Sequence, residues 1–315
     1  MRAVAVRGRW VWGLSGLVTA AVLAVPGVRL ITAAGGPWPV HSQPKLDTMV
    51  RTVTVPQPVT SLNLQSYGSP AQVASGPVSR VQVTETINYS KQDGGPPAVL
   101  QSVSGGHLTL ADPVCNSSDC AVSFAVTVPS GVRVTLATDG GPAAVSGTAG
   151  AQVDSGGGPV AATGIDGPFT ATTDGGSLQV NGLSGPLRVD TGGGPLLGQD
   201  IAAATATAST GGGSARIGFS AAPDSVLVST DGGPAMLTVP GGPYALTAGS
   251  DGGPQAVGIA TDPAARRSIT VTSGGGSLQI EPPAARLPVR PAALGWPQDR
   301  DGCGEPSCVP VATYA

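Results

Sequence analysis

The chain has 315 residues, 48 of them glycine and 30 proline, with 40% apolar, 11% charged and 3% aromatic residues and a net charge of −3. So much glycine and proline argues against an ordinary mixed α/β enzyme, while abundant Val, Ala and Leu supply the core that a charged, disordered linker lacks. The sparse, nearly balanced charge gives no basic footprint for nucleic acid and no acidic tail for a basic partner.

Arg2, Arg7 and Arg9 precede an uncharged run over 10–28, close to the length that crosses a bilayer core of roughly 30 Å as a helix. The arginine bias leaves residues 1–9 in the cytoplasm and exports everything beyond. We therefore expect one transmembrane signal-anchor helix over 10–32, a single-pass cell-membrane location and an extracytoplasmic C-terminal domain. A cleaved signal peptide ending near Thr32, Ala33 and Ala34 is the competing reading and exports the chain equally. A linker over 33–50 follows.

Residues 51–130 have strand texture without strict period, as in Val53-Thr-Val and Val81-Gln-Val-Thr, and are expected to form irregular first coils and a cap. From 131 to 281 one motif recurs eight times: TDGGP at 138, SGGGP at 155, TDGGS at 173, TGGGP at 191, TGGGS at 210, TDGGP at 230, SDGGP at 250 and SGGGS at 273. The spacings are 17, 18, 18, 19, 20, 20 and 23 residues. Alternating segments flank each motif, so each repeat reads as strand, turn, strand, turn. Such a unit is too short for a propeller blade and has no helical part. The predicted fold is all-β, a single-stranded parallel β-helix (β-solenoid) of about 18–20 residues per coil over 51–281, its coils stacking at the strand spacing of about 4.8 Å. Val132, Val134 and Leu136, and likewise Leu187 and Val189, should point inward; Arg133, Thr135, Ala137, Arg188 and Asp190 should point outward. The tail over 282–315 is proline-rich and reads as extended.

The four cysteines form two local pairs, Cys115 with Cys120 and Cys303 with Cys308. Local disulfides are the simplest reading and zinc is the rival, though neither pair has a neighbouring histidine. Each bridge would pin a turn, stabilising by about 2 kcal/mol, and would place the chain outside the reducing cytosol.

Both histidines, His41 and His107, lie outside the regular repeats, so neither a Ser-His-Asp triad nor a His-based metal site can be assembled within them. Over 131–281 the aromatics are Phe169, Phe219 and Tyr244 and the basic residues Arg133, Arg188, Arg216, Arg266 and Arg267, thin material for polysaccharide cleavage. Asp139, Asp174, Asp231 and Asp251 share one motif position, which invites a calcium ladder. Glycine at that position in the other motifs interrupts it, with only Asp231 and Asp251 expected on adjacent coils. Thr205, Thr207 and Thr210 suggest a flat hydroxylated face, but hydroxyls also simply suit exposed strand faces, and that is the reading preferred. No catalytic residue, cofactor or metal is expected.

The export segment, the stretch FAVTVPSGVRVTLATDGG from Phe124, and the stacked Thr-x-Gly-Gly units together resemble the DUF4097 "putative adhesin" family of bacterial envelope proteins, over roughly 51–281. The resemblance implies a β-helix at the cell surface and no established catalytic residues. The function expected is a non-catalytic binding or adhesion module, with a passive spacer or scaffold as the alternative and an extracytoplasmic sensor as a more distant one. Its partners would be cell-wall polymer or another envelope protein, the membrane through the N-terminal helix, and no nucleic acid.

Overall fold

A computed structural model describes residues 46–91, 95–112 and 120–284 of the chain. Ahead of the regular repeats come β1 (Leu46–Thr54), β2 (Ser61–Ser66), β3 (Ala71–Ser75), β4 (Gln82–Ser90), β5 (Leu100–Ser104), β6 (His107–Ala111) and β7 (Ala121–Val128). The repeats follow as strand pairs: β8 (Arg133–Thr138) with β9 (Ala143–Ser146), β10 (Ala151–Ser155) with β11 (Val160–Ile165), β12 (Phe169–Thr173) with β13 (Leu178–Leu183), and β14 (Leu187–Thr191) with β15 (Leu196–Ile201). They continue as β16 (Thr205–Thr210) with β17 (Ala215–Phe219), β18 (Ser225–Thr230) with β19 (Ala235–Thr238), β20 (Ala245–Ser250) with β21 (Gln255–Val257), and β22 (Ser268–Ser273) with β23 (Leu278–Glu281).

The first strand of each pair joins one sheet and the second joins the other, and from β8 to β19 each strand pairs in parallel with its counterpart one repeat away. Phe169 sits beside Leu187 and Thr173 beside Thr191, so one coil is one sequence repeat. This is a two-sheeted β-solenoid. Period-two patterning decides which side chains fill it. Val132, Val134, Leu136, Leu187 and Val189 are buried, and Arg133, Thr135, Arg188 and Asp190 are exposed. Small and large residues trade places along the core: fully buried Phe169 sits beside Ala151 of the neighbouring strand, and Ile217 and Phe219 fill the coil whose other strand offers only Ala206 and Ala208. Thr205 and Thr207 point out from β16, but Thr210 points in. The three threonines therefore share no single face, and an Ala/Thr strand has little contrast from which to read its phase.

The stacking order departs from the chain order at both ends. In space β22 lies between β18 and β20, and β23 lies between β19 and β21. At the other end β2 and β3 lie directly on β8 and β9, with β6 and β7 outside them. The energetic reason is visible in the faces. Ile269, Val271, Leu278 and Ile280 are all buried, each contributing about 1.5–3 kcal/mol, whereas β21 is exposed throughout and β20 only half-buried. Putting the more apolar coil inside buries more surface than chain order would. The cap at the β6/β7 end is antiparallel: β5 pairs with β6, and β1 with β4 and β4 with β7.

One corner of every regular coil is the Ser/Thr-x-Gly-Gly motif. Its hydroxyls form a ladder across neighbouring strands, running from half-buried Ser250 through buried Ser273, Thr230, Thr210, Thr191, Thr173, Ser155 and Thr138 and continued by Ser66 of β2, outside the motif. Ser155, Thr173, Thr191, Thr210, Thr230 and Ser273 each donate to the carbonyl three residues on, closing the turn. Thr138 is the rung whose hydroxyl has no partner. The fourth residue must be glycine because the coils nearly touch there: a Cβ on Gly176 would meet the Gly158 carbonyl oxygen at 2.0 Å, and one on Gly194 the Gly176 oxygen at 1.9 Å.

The expected transmembrane helix over 10–32, the linker up to residue 45 and the tail beyond 284 lie outside the described residues. Among the described residues no helix is long and apolar enough to cross a membrane.

Candidate ligand cleft at the variable corner

The two corners of a coil behave differently. The Gly-Gly corner has the same length in every regular repeat, filling 139–142, 156–159, 174–177 and so on to 274–277. The opposite corner, leading from the second strand back to the first sheet, is short at 166–168, 184–186 and 202–204 and then grows through 220–224 and 239–244 to 258–267. The rise in sequence spacing to 20 and 23 residues is spent there.

Those three longest loops converge. Asp224 from the first, Gly242 and Pro243 from the second, and Ala265, Arg266 and Arg267 from the third line one cleft of about 500 Å³. It is a shallow cleft, open to solvent over much of its surface, and so suits a group of an extended ligand better than an enclosed small molecule. Tyr244 anchors the middle loop: its ring is fully buried, its hydroxyl donates to the Pro240 carbonyl, and its backbone bridges to Thr261. Burial raises the Tyr244 pKa, with Arg267 opposing the shift and Asp224 adding to it. Arg267 approaches Asp224 through Nε at 3.7 Å, with both side chains well exposed at 42% and 70%. Such a contact contributes about 0–1 kcal/mol and leaves the terminal guanidinium nitrogens to other acceptors. Arg266 is exposed and forms no ion pair among the described residues. The cleft offers cationic hydrogen-bond donors over a glycine-proline floor, with one carboxylate at its rim.

The other candidates fall elsewhere. His107 is an exposed strand residue whose Nδ1 meets the Ser61 hydroxyl; His41 lies outside the described residues. Cys120 is half-buried just ahead of β7, while Cys115, Cys303 and Cys308 lie outside the described residues, so both pairings do too. The aspartates of the Gly-Gly corner are more separated than chain order indicates. Because the coil carrying Gly274 inserts between those carrying Asp231 and Asp251, those two are not on adjacent coils. In space the position reads Asp139, Gly156, Asp174, Gly192, Gly211, Asp231, Gly274, Asp251. No two of these aspartates are neighbours, which keeps like charges about two strand spacings apart, near 10 Å. Among the described residues no group of three His, Cys, Asp or Glu side chains gathers at one place.

Sequence reasoning named Arg266 and Arg267 only as sparse basic residues. The lengthening of the last repeats was the signal that marked their loop.

No protein-family model matches the chain, and no curated protein matches it. Among solved structures, a putative adhesin from Bacteroides fragilis is similar at 11% identity, covering 76% of this chain and 98% of its own, with a TM-score of 0.46. A putative adhesin from Parabacteroides distasonis is similar at 12% identity over 74% of this chain and 97% of its own, with a TM-score of 0.49. A putative cell adhesion protein from Clostridium sporogenes is similar at 13% identity over 76% of this chain and 100% of its own, with a TM-score of 0.25.

Proposed function

We propose that this chain is a non-catalytic surface-binding module of the adhesin type, anchored in the cell membrane by residues 10–32 and presenting its solenoid outside the cell. The observation that carries the reading is the convergence of the three longest loops on one cleft, at the single corner of the coil that varies. The rest of the solenoid is a regular frame that holds those loops. The cleft lining contains one carboxylate, Asp224, and neither histidine nor cysteine, a set suited to holding a ligand and short of an acid-base pair. The sequence resemblance to the DUF4097 family supports the same reading, and the uncharged run over 10–28 behind three arginines supports the export. Cell-wall polymer or another envelope protein is the partner, and the two local disulfides Cys115–Cys120 and Cys303–Cys308 belong to this oxidising location.

A spacer or scaffold role is the second reading, favoured by one observation. Among the described residues, the large exposed apolar side chains, Leu46, Val50, Tyr67, Leu100, Leu227 and Val257, fall on different strands and loops at both ends of the solenoid and form no face-long patch of the kind that marks protein docking. Titration of the oxidised full-length protein, in detergent micelles, onto isolated cell wall separates the two. Saturable binding is expected; its absence at high micromolar concentration overturns the binding reading in favour of the spacer. Protease added to intact cells should remove the solenoid, and complete protection would overturn the topology.

A further inference from the structure

We infer that the cleft between Asp224, Pro243 and the Arg266–Arg267 pair binds the acidic groups of an anionic polymer, carboxylate or phosphate, with the two guanidinium groups as the recognising donors. The inference rests on the binding reading above and names its ligand chemistry.

The two arginines are consecutive in the longest loop of the variable corner and both line the cleft. Their partners inside the protein are few. Arg267 has only the long, solvent-exposed contact to Asp224, and Arg266 has none among the described residues. In contrast Arg51, at the other end of the solenoid, holds its carboxylate partner at 2.6 Å. The cleft arginines are therefore placed but unspent. A guanidinium presents a planar fork that matches two oxygens of a carboxylate or phosphate, and such charge-assisted pairs are roughly twice as strong as neutral ones.

The rest of the lining selects against other ligands. No aromatic ring faces the cleft for a neutral sugar to stack on, since Tyr244 is buried beneath the loop. No large apolar side chain lines it, so a lipid chain or an apolar anchor residue gains little there. Asp224 opposes an anion near it, and its long, exposed contact with Arg267 leaves Arg266 as the cleft cation with no carboxylate partner among the described residues. The Gly242–Pro243 floor carries no side-chain donor or acceptor, which leaves the ionic contact to fix the ligand.

The experiment is a binding titration of the oxidised full-length protein, in detergent micelles, against three probes of similar length: polygalacturonate, polyphosphate and neutral dextran. Binding of either polyanion, weakening as salt rises and absent for dextran, is expected. The pattern between the two polyanions assigns carboxylate or phosphate. Arg266→Gln is at an exposed position and should fold normally; it is expected to weaken polyanion binding about tenfold. The Arg266→Gln/Arg267→Gln double variant should weaken it further and flatten the salt dependence. Arg188→Gln, on the outer face of β14, should leave binding unchanged. Equal binding of dextran, no binding of either polyanion at low salt, or unchanged binding by a folded Arg266→Gln protein each overturns the inference. Retention of cell-wall binding by the double variant would overturn it while leaving the surface-binding function standing.

Discussion

The Thr191 hydroxyl donates to the carbonyl of Gly194 at 2.6 Å, and Gly194 in turn sits where any Cβ would strike the carbonyl of the coil beneath it. The two residues fix one corner by complementary means, a bond that closes the turn and an absence that lets the coils meet. Thr191→Val should destabilise the fold by about 1–2 kcal/mol because it removes the donor from a buried site, and Thr191→Ser should recover most of that. Gly194→Ala should cost about 2–3 kcal/mol as the backbone shifts to relieve the overlap. Gly193→Ala, whose Cβ meets nothing within 4 Å, is the control and should change stability by less than about 0.5 kcal/mol. Urea denaturation of the four variants reads all of these differences.

A second column has one irregular member. Gly147, Gly164 and Gly182 adopt φ of 66°, 61° and 70° at matching positions, and the next coil carries Asp200 at 52°. Aspartate tolerates this left-handed geometry better than most residues, and a β-branched side chain tolerates it badly. Asp200→Val should therefore destabilise by about 1–2 kcal/mol, while Asp200→Gly should be neutral or stabilising by a few tenths of a kcal/mol, as thermal melts would show.

Glu85 is fully buried, and Arg51, 46% exposed, reaches its Oε2 with two nitrogens; Glu85 Oε1 has no partner. Arg51→Met leaves a buried, unpaired carboxylate and should cost about 3 kcal/mol, and adding Glu85→Leu should restore most of the loss. A double variant no more stable than the single would show that the pair acts through something other than charge burial.

Asp112 ends the hydroxyl ladder, accepting from the Tyr67 backbone N–H at 2.7 Å and from the Ser66 hydroxyl. Burial pushes its pKa up from 3.8 to about 6, against the pull of those two bonds. A carboxyl raised in the folded state holds a proton that the unfolded chain has released. Its contribution to stability is therefore greatest below about pH 4 and is lost as pH rises to about 6. Asp112→Asn should abolish this part of the pH dependence and raise stability at pH 7, measured as the urea midpoint between pH 4 and 8.

The strands and the Gly-Gly corner were legible in the sequence because both are local. Alternation at Val132, Val134 and Leu136 gives the inward face directly, and a hydroxyl three residues before a glycine is a turn within itself. Stacking order is not local. Inner faces made of Val, Leu, Ile and Ala are interchangeable, and backbone pairing between coils carries no sequence, so nothing in the motif at 273 says that it belongs beside 230 and not beside 250. Strand direction in the cap escaped for the same reason, since Val83 and Ile87 alternate alike whether β4 runs with or against β7. The cleft is half legible: Arg266 and Arg267 stand out as two of the few basic residues of the repeats, but only the fold brings the loops of three successive repeats together around them.

The displaced last coil has a consequence for how the molecule is completed. A chain emerging N-terminus first has synthesised β20 and β21 before β22 and β23 exist, so the seat beside β18 and β19 is open to the wrong occupant. In the finished molecule the later segment holds the keystone position and the earlier one the rim. A chain cut short at residue 265 would hold every loop of the cleft except its arginines, and would lack the piece that locks the arch.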